Sequence, residues 1–294
     1  MKLVFKGLKY VVYYASEDEV AKAQKSGLFI QREGQLYTRD NKKVIIVSTP
    51  IEAHDSNQPC NRGSNPFPYI YAKVMDNGYV VSAYGSVNLI RGSMIYTNWH
   101  VIDNASKIKL CNNGVTLVES KIWRPRIVPV WAYSLVTWIQ KYIPQIKPPY
   151  SFFDYAELIA PFDVQDLLNW SIKPNLVYTA GTCSNVNQQN CIGVALPIPL
   201  IGAYAPPPSD LPMPYIGYCT YWGYEFNGNI IDYGESTVYY EDGVAIFKNA
   251  YLLNFFNKAG IPGCSGSPIV VNYGNSSDVI GSRVSVSVNV RKVD

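Results

Sequence analysis

The run Gly263-Cys264-Ser265-Gly266-Ser267-Pro268 decides how the rest of the chain reads. A serine stands between glycines and is followed by a small residue and a proline. Ile261 precedes the run, and Ile269, Val270 and Val271 follow it. A nucleophilic serine is presented in this way on a tight turn that enters a strand. Glycine permits the unusual backbone angles and leaves room for a substrate to approach. The amides of Gly263 and Ser265 are then candidates to converge on a developing oxyanion. A plain glycine-rich turn between strands has the same look. The motif alone leaves both readings standing.

A base tips the balance. The chain has only two histidines, His54 and His100. His54 lies in the polar stretch His54-Asp55-Ser56-Asn57-Gln58-Pro59, without strand context. His100 follows the β-branched and aromatic run Met94-Ile95-Tyr96-Thr97, which predicts a strand. In Thr97-Asn98-Trp99-His100-Val101 the chain resembles the chymotrypsin-like (trypsin-fold) serine peptidases, including the HtrA-like and viral branches. Their base lies in a Thr-Ala-x-His-Val-type run at the end of a strand. The segment Asp154-Tyr155-Ala156-Glu157-Leu158-Ile159 is similar to the family's Asp-x-Ala-x-x-Ile. Alternation places Asp154, Ala156 and Leu158 on one strand face. Asp103 follows the histidine too closely to turn back on its ring, and Asp163 reads as part of a turn.

The resemblance implies a Ser-His-Asp triad of Ser265, His100 and Asp154, in the family's chain order. It implies an oxyanion hole from Gly263 and Ser265, and hydrolysis of peptide bonds through an acyl-enzyme. It also implies an all-β fold of two antiparallel Greek-key barrels, over about residues 68–294. The base of the substrate pocket would fall at Ala259 and Gly260, about six residues before the nucleophile. No acid sits there, so a small or apolar side chain is expected at the cleaved position rather than Lys or Arg. The strand from Gly281 to Val288, with Arg283 and Ser285, would form one wall. An inward Arg283 would favour an acidic side chain, and an outward, solvated one is the expectation. Position 264 is Cys where digestive members carry the aspartate that completes zymogen activation. Activation by a newly freed N-terminus is therefore not expected.

Composition agrees with such a fold. Of 294 residues 48% are hydrophobic and 16% charged, which describes a globular chain rather than a disordered one. Tyrosine is abundant at 24 residues, and 21 glycines and 20 prolines supply turn signals throughout. A net charge of +3 gives no strong nucleic-acid signal. No long uncharged apolar run predicts a spanning helix. Lysines within Met1–Lys9 make a poor secretory signal, so intracellular residence is expected. The six cysteines form no CxxC pair, and neither a metal nor another cofactor is expected. Reduced buried thiols are expected, with Cys264 as a small turn filler and a Cys183–Cys191 hairpin bridge as the alternative.

The chain divides into four parts. Residues 1–48 read as a small α+β module in β-α-β-β order. In it Ser16-Glu17-Asp18-Glu19 is a capping box opening a helix to about Lys25. Its strands are Leu8–Tyr14, Leu28–Tyr37 and Lys43–Val47. Nine basic residues against five acidic ones in this module suit an acidic partner or, more simply, a solvated face. Residues 49–67 read as a linker. Residues 68–172 supply the first barrel, with His100 and Asp154, and residues 173–294 the second, with Ser265. Between residues 123 and 150, Trp131, Leu135, Trp138, Ile139 and Tyr142 recur at helical spacing. A helix packed on the first barrel is expected there, with membrane-surface contact or substrate gating as alternatives. The expected partner is a polypeptide substrate, self-cleavage included. The 29 residues after Ser265 and the Gly-x-Ser-Gly-Ser-Pro form are similar to compact viral processing proteases. A catalytically silent scaffold or partner-binding protein of the same fold is the alternative function.

Overall fold

The structure is a computed structural model. It describes residues 1–47, 67–75, 80–81, 85–102, 105–112, 115–125, 154–160, 163–164, 178–182, 191–197, 199–200, 203–204, 210–240, 243–256, 263–273 and 276–287. Strands dominate. Among the described residues the helices are Glu17–Lys25 and the single turn Trp99–Ile102, as the β-rich composition predicts.

Two large sheets carry the architecture. The first runs Val80–Val81, Tyr69–Met75, Ala105–Asn112, Val115–Pro125, Ala156–Ile159, Met94–Thr97, Leu89–Arg91. Gly85–Ser86 also pairs with its Tyr69–Met75 strand. One register matters most: Met94–Thr97 lies antiparallel to Ala156–Ile159 with Thr97 opposite Ala156. The residues just after Thr97 and just before Ala156 therefore leave the sheet at the same edge. Ile95, Tyr96, Leu158, Ile108 and Leu110 fill the core beneath.

In the second sheet, Met213–Cys219 pairs with Ser267–Tyr273 on one side and Tyr224–Tyr240 on the other. Ser267–Tyr273 continues into Ser276–Ser287, and Cys191–Pro197 bridges to Gly243–Phe255. Tyr224–Tyr240 and Gly243–Phe255 form a long hairpin of 17 and 13 residues. The sequence shows only its closed end, as Val238–Tyr240 and Val244–Phe247. Toward the open end, register shifts between Ile230 and Asp232 and between Gly234 and Ser236 break the simple alternation.

The N-terminal residues extend this second sheet. Lys2–Gly7 pairs with Tyr224–Tyr240, placing Phe5 opposite Ser236, and also with Tyr10–Tyr14. The capped helix forms as the sequence predicts, with Glu19 N donating to Ser16 Oγ at 3.3 Å and Ser16 N to Glu19 Oε2 at 2.9 Å. Two readings need correction. Lys2–Gly7 is a strand with Lys2 and Lys6 exposed and Val4 and Phe5 buried, so the lysines mark its outer face. Leu28–Tyr37 is a hairpin of Phe29–Arg32 and Gln35–Thr38. Glu33 and Gly34, at φ 50° and 74°, make its turn. Val4, Phe5, Val12 and Val47 join the main core, while Ala15, Val20, Ala23, Phe29, Leu36, Val44 and Ile46 make a core of their own.

Of the residues 49–67 read as a linker, 49–66 lie outside the described residues, as do 126–150 of the 123–150 segment expected to hold a helix, whereas Trp123–Pro125 belong to the Val115–Pro125 strand. No described helix is long and apolar enough to cross a membrane.

One carboxylate fastens the N-terminal turn. Asp232 is fully buried. Its Oδ1 accepts from Leu8 N (3.0 Å) and Tyr233 N (2.8 Å), and its Oδ2 from Lys9 N (2.9 Å) and Tyr10 N (2.7 Å). Four N–H donors facing one ionised acceptor make strong, charge-assisted bonds. Asp232→Asn keeps the shape but turns an NH2 group toward two of those donors. Urea unfolding should show a loss of about 3 kcal/mol, and a change under about 0.5 kcal/mol would sink this reading of the latch.

Candidate active site

The strand Met94–Thr97 ends, and Trp99–Ile102 turns helically with all four residues buried. This turn places His100 at the sheet edge where Asp154 also leaves. His100 N donates to Asp154 Oδ1 at 2.9 Å. The ring Nδ1 lies 2.9 Å from Oδ1 and 3.0 Å from Oδ2. Asn98 Nδ2 donates to the Asp154 carbonyl at 2.8 Å and so fixes the main chain that carries the carboxylate. On the other side of the ring, Nε2 lies 2.9 Å from Ser265 Oγ. All three side chains are removed from solvent, at 7%, 2% and 0% exposure for His100, Asp154 and Ser265. An ionised carboxylate only accepts, so Nδ1 carries the proton and Nε2 keeps its lone pair toward the serine hydroxyl.

The serine turn is held from several sides. Gly263 and Gly266 sit at φ 102° and 92°, angles that side chains rarely adopt. Space excludes side chains as well. A Cβ on Gly263 would lie 2.2 Å from the Tyr221 ring, and one on Gly266 2.3 Å from the Ser86 carbonyl. Ser267 N and Ser267 Oγ both donate to the Cys264 carbonyl, at 3.1 and 2.7 Å, which closes the turn. Ser86, from the first sheet, donates its N–H to the Ser265 carbonyl at 2.7 Å.

The cysteines correct an expectation. Cys264 is joined to Cys219 by a disulfide. It is not a reduced turn filler. Cys111 is also disulfide-bonded, and no cysteine among the described residues is free. The Cys219–Cys264 bridge spans 45 positions, and a loop of that size removes about 4 kcal/mol of entropy from the unfolded chain in the chain-entropy account. The Cys183–Cys191 alternative involves Cys183, outside the described residues.

Of the expected pocket residues, Ala259 and Gly260 lie outside the described residues. Arg283 and Ser285 lie on the strand Ser276–Ser287, where the main chain of Arg283 pairs with Ser267 and Ala195. That strand runs directly beside the serine turn. Among the described residues no three His, Cys, Asp or Glu side chains are grouped as a metal site. Sequence reasoning missed Asn98, Ser86 and Cys219. Only Asn98 lay within the motif already quoted.

No known family model matches the chain, and no curated protein matches it. Among solved structures it is similar to the Rv3671c protease from M. tuberculosis. The active form shares 14% identity at a TM-score of 0.35, over 79% of this chain and 84% of that one. The inactive form shares 13% at 0.34, over 75% and 81%. Likeness at this level assigns neither fold nor activity.

Peptide mapping without reductant should recover a Cys219–Cys264 cross-linked pair. Alkylation of both cysteines in unreduced, denatured protein would rule that bridge out.

Proposed function

We propose that this chain is a serine endopeptidase of the chymotrypsin-like kind, acting through Ser265, His100 and Asp154. The observation that carries the reading is the chain of contacts Asp154 Oδ–His100 Nδ1, His100 Nε2–Ser265 Oγ, each of 2.9–3.0 Å and each buried. Such reach between nucleophile, base and orienting acid is what proton transfer requires. The resemblance of the His100 and Ser265 runs to peptidases makes a polypeptide the substrate class.

The roles follow from the atoms. His100 Nε2 takes the Ser265 proton as Oγ attacks a carbonyl carbon. Asp154 holds the Nδ1–H tautomer and stabilises the imidazolium that forms. The imidazolium then gives its proton to the leaving amine, and an acyl-enzyme remains on Ser265. Water, deprotonated by the same nitrogen, releases the acid. Gly263 and Ser265 amides are the proposed oxyanion donors, each worth roughly 3 kcal/mol of transition-state stabilisation.

Two Greek-key barrels belong to the same proposal. Supporting the first, Gly85–Ser86 pairs with Tyr69–Ile70 while nearby Leu89–Arg91 pairs with Met94–Tyr96. Supporting the second, Met213–Cys219 pairs with strands from both ends of its run, and Ser276–Ser287 meets Cys191–Pro197. A processing role, with self-cleavage, is the proposed biological setting. Intracellular residence, proposed from the sequence, sits against the Cys219–Cys264 bridge, because cytosolic proteins outside hyperthermophiles rarely keep one.

Intact mass after treatment with a fluorophosphonate should show one adduct on the wild type and none on Ser265→Ala. An unlabelled wild type at pH 8 would leave a binding scaffold as the better reading. Protonated His100 cannot accept the serine proton, so labelling should slow as acid protonates the ring. A flat rate from pH 5 to pH 8 would count against His100 as the base.

A further inference from the structure

We infer that the Ser86 hydroxyl is a positioning residue for the serine turn, setting the Gly263 peptide from the opposite sheet. The inference rests on the serine-hydrolase reading of His100, Asp154 and Ser265.

Ser86 ends the short strand Gly85–Ser86 of the first sheet and is fully buried. Its hydroxyl donates to the Gly263 carbonyl at 3.0 Å and accepts from Tyr221 N at 3.2 Å. A hydroxyl has one proton and two lone pairs, so the single donor is committed to Gly263. Cys219 Sγ lies 3.7 Å from the same oxygen. The Ser86 main chain is committed too. Its N–H donates to the Ser265 carbonyl at 2.7 Å, and its carbonyl accepts from Thr97 Oγ1 at 2.9 Å. One residue thus touches the peptide before the disulfide-bonded Cys264, the carbonyl of the nucleophile, and the strand that leads to His100.

The main-chain bonds would survive any substitution, whereas the hydroxyl bond depends on the side chain. Gly263 has no Cβ to restrict it and sits at φ 102°, so its orientation is soft unless something external holds it. The Ser86 hydroxyl fixes the carbonyl side of Gly263, and the Cys219 bridge fixes Cys264 beyond it. The Gly263–Cys264 peptide, which leads directly into Ser265, is then held from both ends. Oxyanion stabilisation depends on preorganised donors, and small misplacements are costly in rate.

The test compares Ser86→Ala with Thr220→Val by burst kinetics on p-nitrophenyl acetate, which needs no specificity pocket. Thr220 accepts from Val87 N at 2.7 Å. It is a second buried link between the sheets, and this bond runs to Val87 rather than to Gly263 or Ser265. Ser86→Ala should slow acylation by roughly 10- to 100-fold, with the ester's dissociation constant and the pH midpoint unchanged. Thr220→Val should lower the melting temperature and leave the acylation rate within about twofold. If Ser86→Ala fails to fold, Ser86→Cys, a weak donor of similar shape, should slow acylation in the same direction. Acylation by the folded Ser86 variant within about twofold of wild type would overturn the inference. Equal slowing by Thr220→Val would overturn it too. A wild type with neither burst nor fluorophosphonate adduct would instead overturn the serine-hydrolase reading beneath it.

Discussion

The main-chain hydrogen bond from Ser86 N–H to the Ser265 carbonyl, at 2.7 Å, joins the two sheets where the candidate chemistry sits. Each sheet supplies one rigid half. The Thr97–Ala156 register brings His100 and Asp154 to one edge of the first. The turn into Ser267–Tyr273 presents Ser265 from the second. The proposed proton transfer needs both halves, so it depends on the relation between the sheets. Buried polar groups enforce this, because each one left unpaired costs roughly 1–3 kcal/mol. Hydrogen-bonded groups in a site removed from solvent are correspondingly stiff.

The Cys219–Cys264 bridge adds a covalent restraint to the same turn. It fixes Cys264, the residue before Ser265, to the end of the Met213–Cys219 strand. The state of the turn therefore depends on thiol chemistry.

The parts of the site that a sequence shows are those whose chemistry is local. Gly263 and Gly266 are legible because their backbone angles exclude other residues, and His100 because only one other histidine competes. Asp154 is legible through order and alternation. The rest depends on long-range pairing, which composition does not encode. Cys219 lies 45 positions from its partner, with no spacing rule to point at it. Asp232, in Ile230-Ile231-Asp232-Tyr233, looks like a solvated strand residue until Leu8, Lys9 and Tyr10 fold onto it. The Lys2–Gly7 strand hides behind its exposed lysines, and the Glu33–Gly34 turn lies inside what reads as one continuous strand.

The pairing of Phe5 with Ser236 has a consequence for how the chain is made. The first strand leaves the ribosome long before the strand it must lie against has been translated. At roughly 5–20 residues per second the wait lasts about ten to fifty seconds. Throughout it Val4 and Phe5, which end at 1% exposure, have no finished main core to enter. The N-terminal residues must therefore pass through synthesis with an open strand edge and apolar side chains in water, the combination most prone to pairing with another chain.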